Sequence, residues 1–163
     1  MKKLVLNIFL CMVMLVSKAQ ETKQYNPAAN AEKDIATAIL KSKKENKFVL
    51  IQGGGNWCSW CIEFARFAKE DNKIASVIKS SFVWYHLNYS KENENKATFA
   101  KLGYPQRFGY PVFIILNGKG ERIHTQNSEY LENGGKGYNQ QKVQNFLEMW
   151  SPRVLKPQIW GDK

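Results

Sequence analysis

The chain has 163 residues, of which 44% are hydrophobic and 23% charged, the balance of one globular domain rather than of a disordered protein. Its formal net charge of +10 comes from scattered lysines, and no motif that reads nucleic-acid bases accompanies them. The composition therefore argues against a nucleic-acid-binding protein, although a weak preference for acidic surfaces is compatible with it.

Residues 1–19 are predicted to be a secretory signal peptide. Two lysines precede an apolar run over 4–16, which is shorter than the ~20 residues needed to span a bilayer. Ser17 and Ala19 are small residues at the positions that a signal peptidase reads, so we expect cleavage after Ala19; an uncleaved anchor is the alternative. Cleavage removes three lysines and no acidic residue, which lowers the net charge from +10 to +7. We therefore expect an exported protein, with the periplasm as its compartment.

Beyond the signal peptide, apolar periodicity distinguishes helices from strands. In the first half of the chain the pattern predicts a flexible lead-in at 20–30, a helix at 31–47, a strand at 47–53, a helix from Cys58 and a helical turn from Asp71 or Asn72. A strand at 81–89 and a helix at 91–103, capped by Ser90, follow. The remainder is predicted to form two strands within 110–126 joined by a turn at 117–120, a loop at 127–139, a helix at 140–150 and a tail at 151–163. This order predicts an α/β domain over 31–150 with a mixed sheet and helices on both faces.

Signal cleavage would leave two cysteines, Cys58 and Cys61, in a compartment that permits disulfides. A stabilising crosslink usually closes a long loop, because the entropic gain grows with loop length. A bridge between residues three apart closes almost no loop. A reactive role is therefore favoured over a structural one.

The stretch "GGGNWCSWC" that contains this pair does not match a phosphate-binding loop, because no Lys-Ser or Lys-Thr follows the glycines. The glycines are predicted instead to let the strand turn sharply into the helix. A structural zinc ion needs four ligands, and the only histidines, His86 and His124, stand alone on predicted strands. Neither a metal ion nor an organic cofactor is therefore predicted.

Redox chemistry has the strongest case, since Cys-x-x-Cys stands at the predicted start of a helix that follows a strand. Cys58 would lie at the helix N-terminus, where unpaired N–H groups and the helix dipole stabilise a thiolate. Cys61, one turn further, would displace a partner from the mixed disulfide that Cys58 forms.

The segments "FVLIQGGGNWCSWC" and "GYPVFIILNGKGE" together resemble the thioredoxin superfamily, and the resemblance extends over roughly 31–150. The extra helical turn after the redox helix is similar to secreted thioredoxin-like domains of thiol:disulfide interchange proteins. The resemblance implies a three-layer sandwich with a central mixed sheet flanked by helices. It also implies a secreted thiol–disulfide oxidoreductase, with Cys58 as the attacking and Cys61 as the resolving cysteine.

The same resemblance implies a substrate-binding surface beside the cysteines. Pro111 matches the cis-proline of the family, which places Tyr110 in the substrate groove. Trp57 and Trp60 flank the cysteines and are predicted to contact substrate. The alternatives are a trans-proline that starts a strand for Pro111, and simple packing for the two tryptophans.

Three positions depart from the family pattern. Gln52 stands where the family often has a buried acid, Arg66 replaces a helix-kinking proline, and Ser-Trp separates the cysteines in place of Gly-Pro. Because an amide cannot accept a proton as a carboxylate does, we consider Glu63 or His86 as the proton relay.

The expected partners are protein thiols and disulfides, together with a membrane protein that donates or accepts electrons, and nothing in the sequence indicates a small-molecule ligand. The alternative function is a non-catalytic protein-binding or chaperone-like module. In that case the glycine-bearing loop at 127–139 and the segment "YPQRFGYP" would hold the partner.

Overall fold

The structure is a computed structural model that describes residues 23–156 and Gly161. The predicted signal peptide and most of the predicted tail lie outside the described residues. No helix within the described part is long and apolar enough to cross a membrane. The helices and strands are α1 (Ala31–Lys44), β1 (Phe48–Gly54), α2 (Ser59–Glu70), α3 (Asn72–Ser81), β2 (Phe82–Asn88), α4 (Lys96–Lys101), β3 (Val112–Leu116), β4 (Arg122–Asn127) and α5 (Gln140–Met149).

The four strands form one mixed sheet in the order β2-β1-β3-β4. β1 is parallel to β2 and antiparallel to β3, and β3 is antiparallel to β4. The turn that joins β3 to β4 is closed by a hydrogen bond from the Gly120 amide to the Asn117 carbonyl, at 2.9 Å. The predicted hairpin and mixed sheet are thereby confirmed.

Helices cover both faces of the sheet. Successive side chains of each central strand point to opposite faces and therefore enter two different cores. Leu50 and Phe113 lie in a core with α2, α3 and α5. Ile51 and Ile114 lie in a second core with α1 and α4. Burial on both faces explains why β1 and β3 are almost uniformly apolar, and the predicted three-layer arrangement is confirmed.

The helix predicted at 91–103 is much shorter than the sequence indicates. α4 begins after Asn95, and Ser90 does not cap it. Asn88 donates hydrogen bonds to the Ser90 hydroxyl and the Asn93 carbonyl, and Asn95 donates to the Asn88 carbonyl. Asparagine side chains that bond the backbone locally compete with the helix, and here they hold residues 90–95 as a loop.

The lead-in before α1 is held against the domain at Tyr25. Tyr25 is fully buried, its amide donates to the Asn56 side chain at 3.1 Å, and Asn56 donates back to the Tyr25 carbonyl at 2.7 Å. Residues 23–30, which the sequence analysis assigns to a flexible lead-in, therefore include a residue anchored beside the cysteine loop.

Candidate active site

Cys58 and Cys61 form a disulfide at the start of α2, with their Cα atoms 5.2 Å apart. Cys58 is the N-cap residue of this helix, and its sulfur accepts a hydrogen bond from the Cys61 amide at 3.1 Å. The helix N-terminus predicted for Cys58 is thus observed. The Cys61 amide and the helix dipole would favour a thiolate on Cys58 after reduction.

The two sulfur-bearing residues differ in access to solvent. Cys58 is 6% exposed and Cys61 is completely buried. The Cys61 carbonyl accepts a hydrogen bond from the side-chain amide of the buried Gln52 at 2.9 Å, which connects the first turn of α2 to β1. A partner molecule would therefore reach Cys58 before Cys61.

The glycines of "GGGNWCSWC" allow close packing at the point where β1 turns into α2. None of the three has a positive φ, and the second of them, Gly54, is still part of β1. A Cβ on Gly54 would lie 2.5 Å from the Cys61 sulfur and 3.0 Å from the Tyr25 hydroxyl oxygen. A Cβ on Gly55 would collide with Trp57. The predicted turn is present at 55–58, where the Cys58 amide donates to the Gly55 carbonyl at 3.1 Å, but it does not use a backbone conformation reserved for glycine. The physical reason for glycine is the space that sulfur and aromatic rings occupy.

Trp57 and Tyr110 form an aromatic rim beside the disulfide. Trp57 is 59% exposed, and its indole donates to the Tyr89 carbonyl at 2.6 Å. Its ring lies edge-on to Tyr110, with centroids 5.5 Å apart. The Tyr110–Pro111 bond is cis, as the resemblance implied, and Pro111 is buried directly before β3.

Trp60 packs on the domain and also borders a surface cavity. Its ring lies edge-on to Tyr138 with centroids 5.5 Å apart, and its carbonyl accepts from the Tyr138 hydroxyl at 3.1 Å. Together with Ser59, Glu63 and Lys136 it lines a cavity of about 420 Å³. Trp60 therefore packs on Tyr138, as the packing alternative predicts, and it also borders the cavity.

The sequence of this chain matches a known protein family. The profile of a thioredoxin-like family, Thioredoxin_7, matches residues 30–118, more than half of the chain. The chain belongs to this thioredoxin-like family. With the disulfide on Cys-x-x-Cys, membership supports the predicted thiol–disulfide oxidoreductase activity.

Two solved structures are similar to this chain. The thioredoxin-like domain is similar to a disulphide isomerase from Xylella fastidiosa Temecula1, with a TM-score of 0.67 and 21% identity over 81% of this chain and 96% of that protein. The C-terminal domain of DsbD from Neisseria meningitidis, in the oxidised form, has a TM-score of 0.48 and 18% identity over 75% of this chain and 94% of that one. No curated protein sequence matches significantly. The first similarity confirms the predicted fold.

The two relay candidates occupy different places in the thioredoxin-like domain. Glu63 lines the cavity and accepts two hydrogen bonds from Arg66, at 2.7 and 3.0 Å. His86 lies on β2 opposite Gln52, with its ring centroid 5.3 Å from that of Tyr25. His86 thus lies with the buried groups behind Cys61, whereas Glu63 faces the surface cavity.

The described residues contain no group of three or more His, Cys, Asp and Glu side chains arranged to hold a metal ion. His124 lies on β4, where its ring stacks on Trp150 with centroids 4.0 Å apart. The zinc alternative would need His86 and His124 to meet at the cysteines, whereas His124 lies on the edge strand β4.

Tyr25 is the site residue that the sequence analysis missed. It shares a buried cluster with Cys58 and Cys61. The available signal was one large aromatic residue in the otherwise polar segment "QETKQYNPAAN", because such a side chain is usually buried in part.

His86 is expected to make the stability of the domain depend on pH. Burial, with a smaller effect from Lys69, lowers the pKa of His86 from its usual value near 6.5 to about 4. Between these values the unfolded chain binds a proton that the folded chain does not, so the free energy of unfolding falls as the pH decreases from about 6.5 to about 4. His86 accounts for at most about 3 kcal/mol of this fall.

Urea unfolding of the wild type and of His86→Gln over this pH range measures the effect. The variant should lose less stability on acidification than the wild type. His124→Gln is the matched control, since burial lowers the pKa of His124 to a smaller extent. Parallel pH profiles for wild type and His86→Gln would contradict the prediction.

Proposed function

We propose that this protein is an exported thiol–disulfide oxidoreductase that exchanges disulfides with exported proteins or with a redox partner through Cys58 and Cys61. The observation that carries the proposal is the disulfide at the N-cap of α2 in a thioredoxin-like domain, with the attacking residue nearer the surface. A helix N-terminus favours the thiolate, which is the nucleophile in thiol–disulfide exchange.

The reaction proceeds in two displacements. The Cys58 thiolate attacks one sulfur of the partner's disulfide, so that a mixed disulfide forms and the partner's other sulfur leaves as a thiolate. Cys61 then attacks the Cys58 sulfur, which closes the intramolecular disulfide and releases the second partner thiol. Two electrons pass to the partner. The reverse sequence oxidises a dithiol, and the relative reduction potentials set the direction.

The substrate surface is proposed to consist of Trp57, Trp60, Tyr110 and Pro111. The exposure of Trp57, its edge-on contact with Tyr110 and the position of Trp60 at the cavity support this assignment. An exposed aromatic rim suits an extended peptide, because aromatic side chains supply large contact areas at small entropic cost.

The proposal that the protein is exported rests on the sequence of residues 1–19, which lie outside the described residues. A positive start, an apolar run and small residues before the expected cleavage site support it. In an exported reductase the electrons must come from elsewhere, so a membrane protein is the proposed electron donor. An exported oxidase would pass electrons to such a partner.

Cys61→Ser is expected to trap the mixed disulfide. After reduction, this variant keeps the attacking thiol but lacks the thiol that resolves the intermediate, so incubation with a disulfide-linked peptide should leave one half of the peptide covalently attached. Intact mass before and after treatment with dithiothreitol measures the adduct. The double variant Cys58→Ser/Cys61→Ser is the control and should remain unmodified. No adduct on Cys61→Ser would contradict the proposal and favour the protein-binding module.

A further inference from the structure

Three buried polar groups surround the inner side of the cysteine pair. The Tyr25 hydroxyl, the Gln52 side-chain carbonyl and the His86 Nε2 atom have no hydrogen-bond partner within the described part of the chain. They come from three separate segments, the lead-in, β1 and β2. Such groups are costly to bury unpaired, so their presence together behind one sulfur calls for a physical reason.

The Tyr25 hydroxyl and the Cys61 sulfur both border Gly54. Both atoms lie within 3.0 Å of the point where a Cβ on Gly54 would stand. Both residues are fully buried and belong to one contact cluster. Glycine at position 54 is therefore what allows the phenol to approach the sulfur.

The oxidation state of the sulfur decides whether it can satisfy this hydroxyl. A disulfide sulfur is a weak hydrogen-bond acceptor, whereas a thiolate carries a full charge and accepts strong bonds. Burial raises the pKa of Tyr25 far above its usual value, so the phenol stays protonated as a donor. Gln52 is near enough to offset part of that shift, although no hydrogen bond of normal geometry joins the two side chains.

We propose that Tyr25 is a positioning residue for the resolving step, in which its hydroxyl donates a hydrogen bond to the Cys61 thiolate once the disulfide is open. The proposal rests on the proposed function, because Cys61 is resolving only in an exchange reaction. Tyr25 would thereby stabilise the charge on Cys61 from the lead-in segment, in a site where Gln52 cannot accept the proton of the Cys61 thiol as a carboxylate would.

The step balances without any further reactant. The Cys61 thiol gives up its proton to water, and its thiolate attacks the Cys58 sulfur of the mixed disulfide. The bond between the Cys61 and Cys58 sulfurs forms, the bond from Cys58 to the partner breaks, and the electron pair leaves on the partner's sulfur, which takes up a proton. Tyr25 keeps its own proton throughout and only stabilises the charge on Cys61.

Several titratable groups surround the cluster. Cys58 lies beside Cys61, and His86 faces Tyr25 from β2. Tyr138, in the loop before α5, contributes to the raised pKa of Tyr25. Lys69 lies beyond His86, and Glu63 lies beyond Tyr138. Because burial lowers the pKa of His86 to about 4, His86 is neutral near pH 7 and adds no charge that would replace the phenol.

The experiment measures the Cys61 thiol directly. In a Cys58→Ser background, the 13Cβ chemical shift of labelled Cys61 is followed against pH, with and without Tyr25→Phe. Removing the hydroxyl should raise the Cys61 midpoint by about one to two pH units, as expected for the loss of a hydrogen bond to a charged group. Tyr85→Phe is the matched control, because Tyr85 bonds Asp34 at 3.4 Å on the other face of the sheet. It should leave the midpoint unchanged.

A second substitution keeps the test valid if Tyr25→Phe does not fold. Replacing Tyr25 by 3-fluorotyrosine makes the phenol more acidic and a stronger donor, so the Cys61 midpoint should fall. A midpoint that moves in neither variant would overturn the proposal. A shifted midpoint, together with a Cys61→Ser variant that forms no mixed disulfide with peptide, would instead overturn the proposed function and leave the hydrogen bond established.

Discussion

Replacing Cys58 by serine is expected to lower the catalysed rate of disulfide reduction at least about a thousandfold, to the rate without protein. The Cys58 sulfur lies at the N-cap of α2, nearer the surface than the buried Cys61. A serine hydroxyl is a far weaker nucleophile than a thiolate, and Cys61 behind it is not accessible enough to replace it. An insulin-type reduction assay with dithiothreitol measures the rate.

The structure supplies a reason why this variant should remain folded. Serine is among the best N-cap residues, so its hydroxyl can accept the bond from the Cys61 amide that the Cys58 sulfur accepts now. Reduced wild type is the control for stability, because both proteins then lack the disulfide. A Cys58→Ser protein that is folded and equally active would exclude the exchange mechanism and favour a non-catalytic binding module.

Gly54→Ala is expected to destabilise the oxidised domain by about 1–3 kcal/mol, and the reduced domain by less. The added methyl group would stand 2.5 Å from the Cys61 sulfur and 3.0 Å from the Tyr25 hydroxyl, inside the contact distance of both atoms. In the oxidised state the sulfur is bonded to Cys58 and cannot move away freely. Urea unfolding of oxidised and reduced protein measures both free energies.

Gly118→Ala is the matched control for this substitution. Gly118 has open space around its Cα and no positive φ, so alanine there should change the free energy of unfolding by no more than about 0.5 kcal/mol. Equal effects of the two substitutions, or an oxidised Gly54→Ala protein as stable as wild type, would show that the space beside Cys61 is not filled as described.

The general architecture follows from local patterns in the chain. Apolar runs of strand length mark β1 and β3, and helical spacing with a capping Asp71 marks α2 and α3. The position of Cys58 shortly after such a strand, at the start of a helix, also indicates the redox site, because the first turn of that helix provides unpaired N–H groups. These features depend on residues close together in sequence, so they can be recognised without tertiary contacts.

The inner side of the site depends on contacts that no local pattern contains. Tyr25 is 33 residues from Cys58, counted along the sequence, and its burial becomes visible only when the lead-in lies against β1. Gly54 looks like a turn residue until the sulfur and the phenol are placed beside it. Local sequence fixes which backbone conformation each segment prefers, but which distant side chains share a buried space is set by how the segments pack on the sheet.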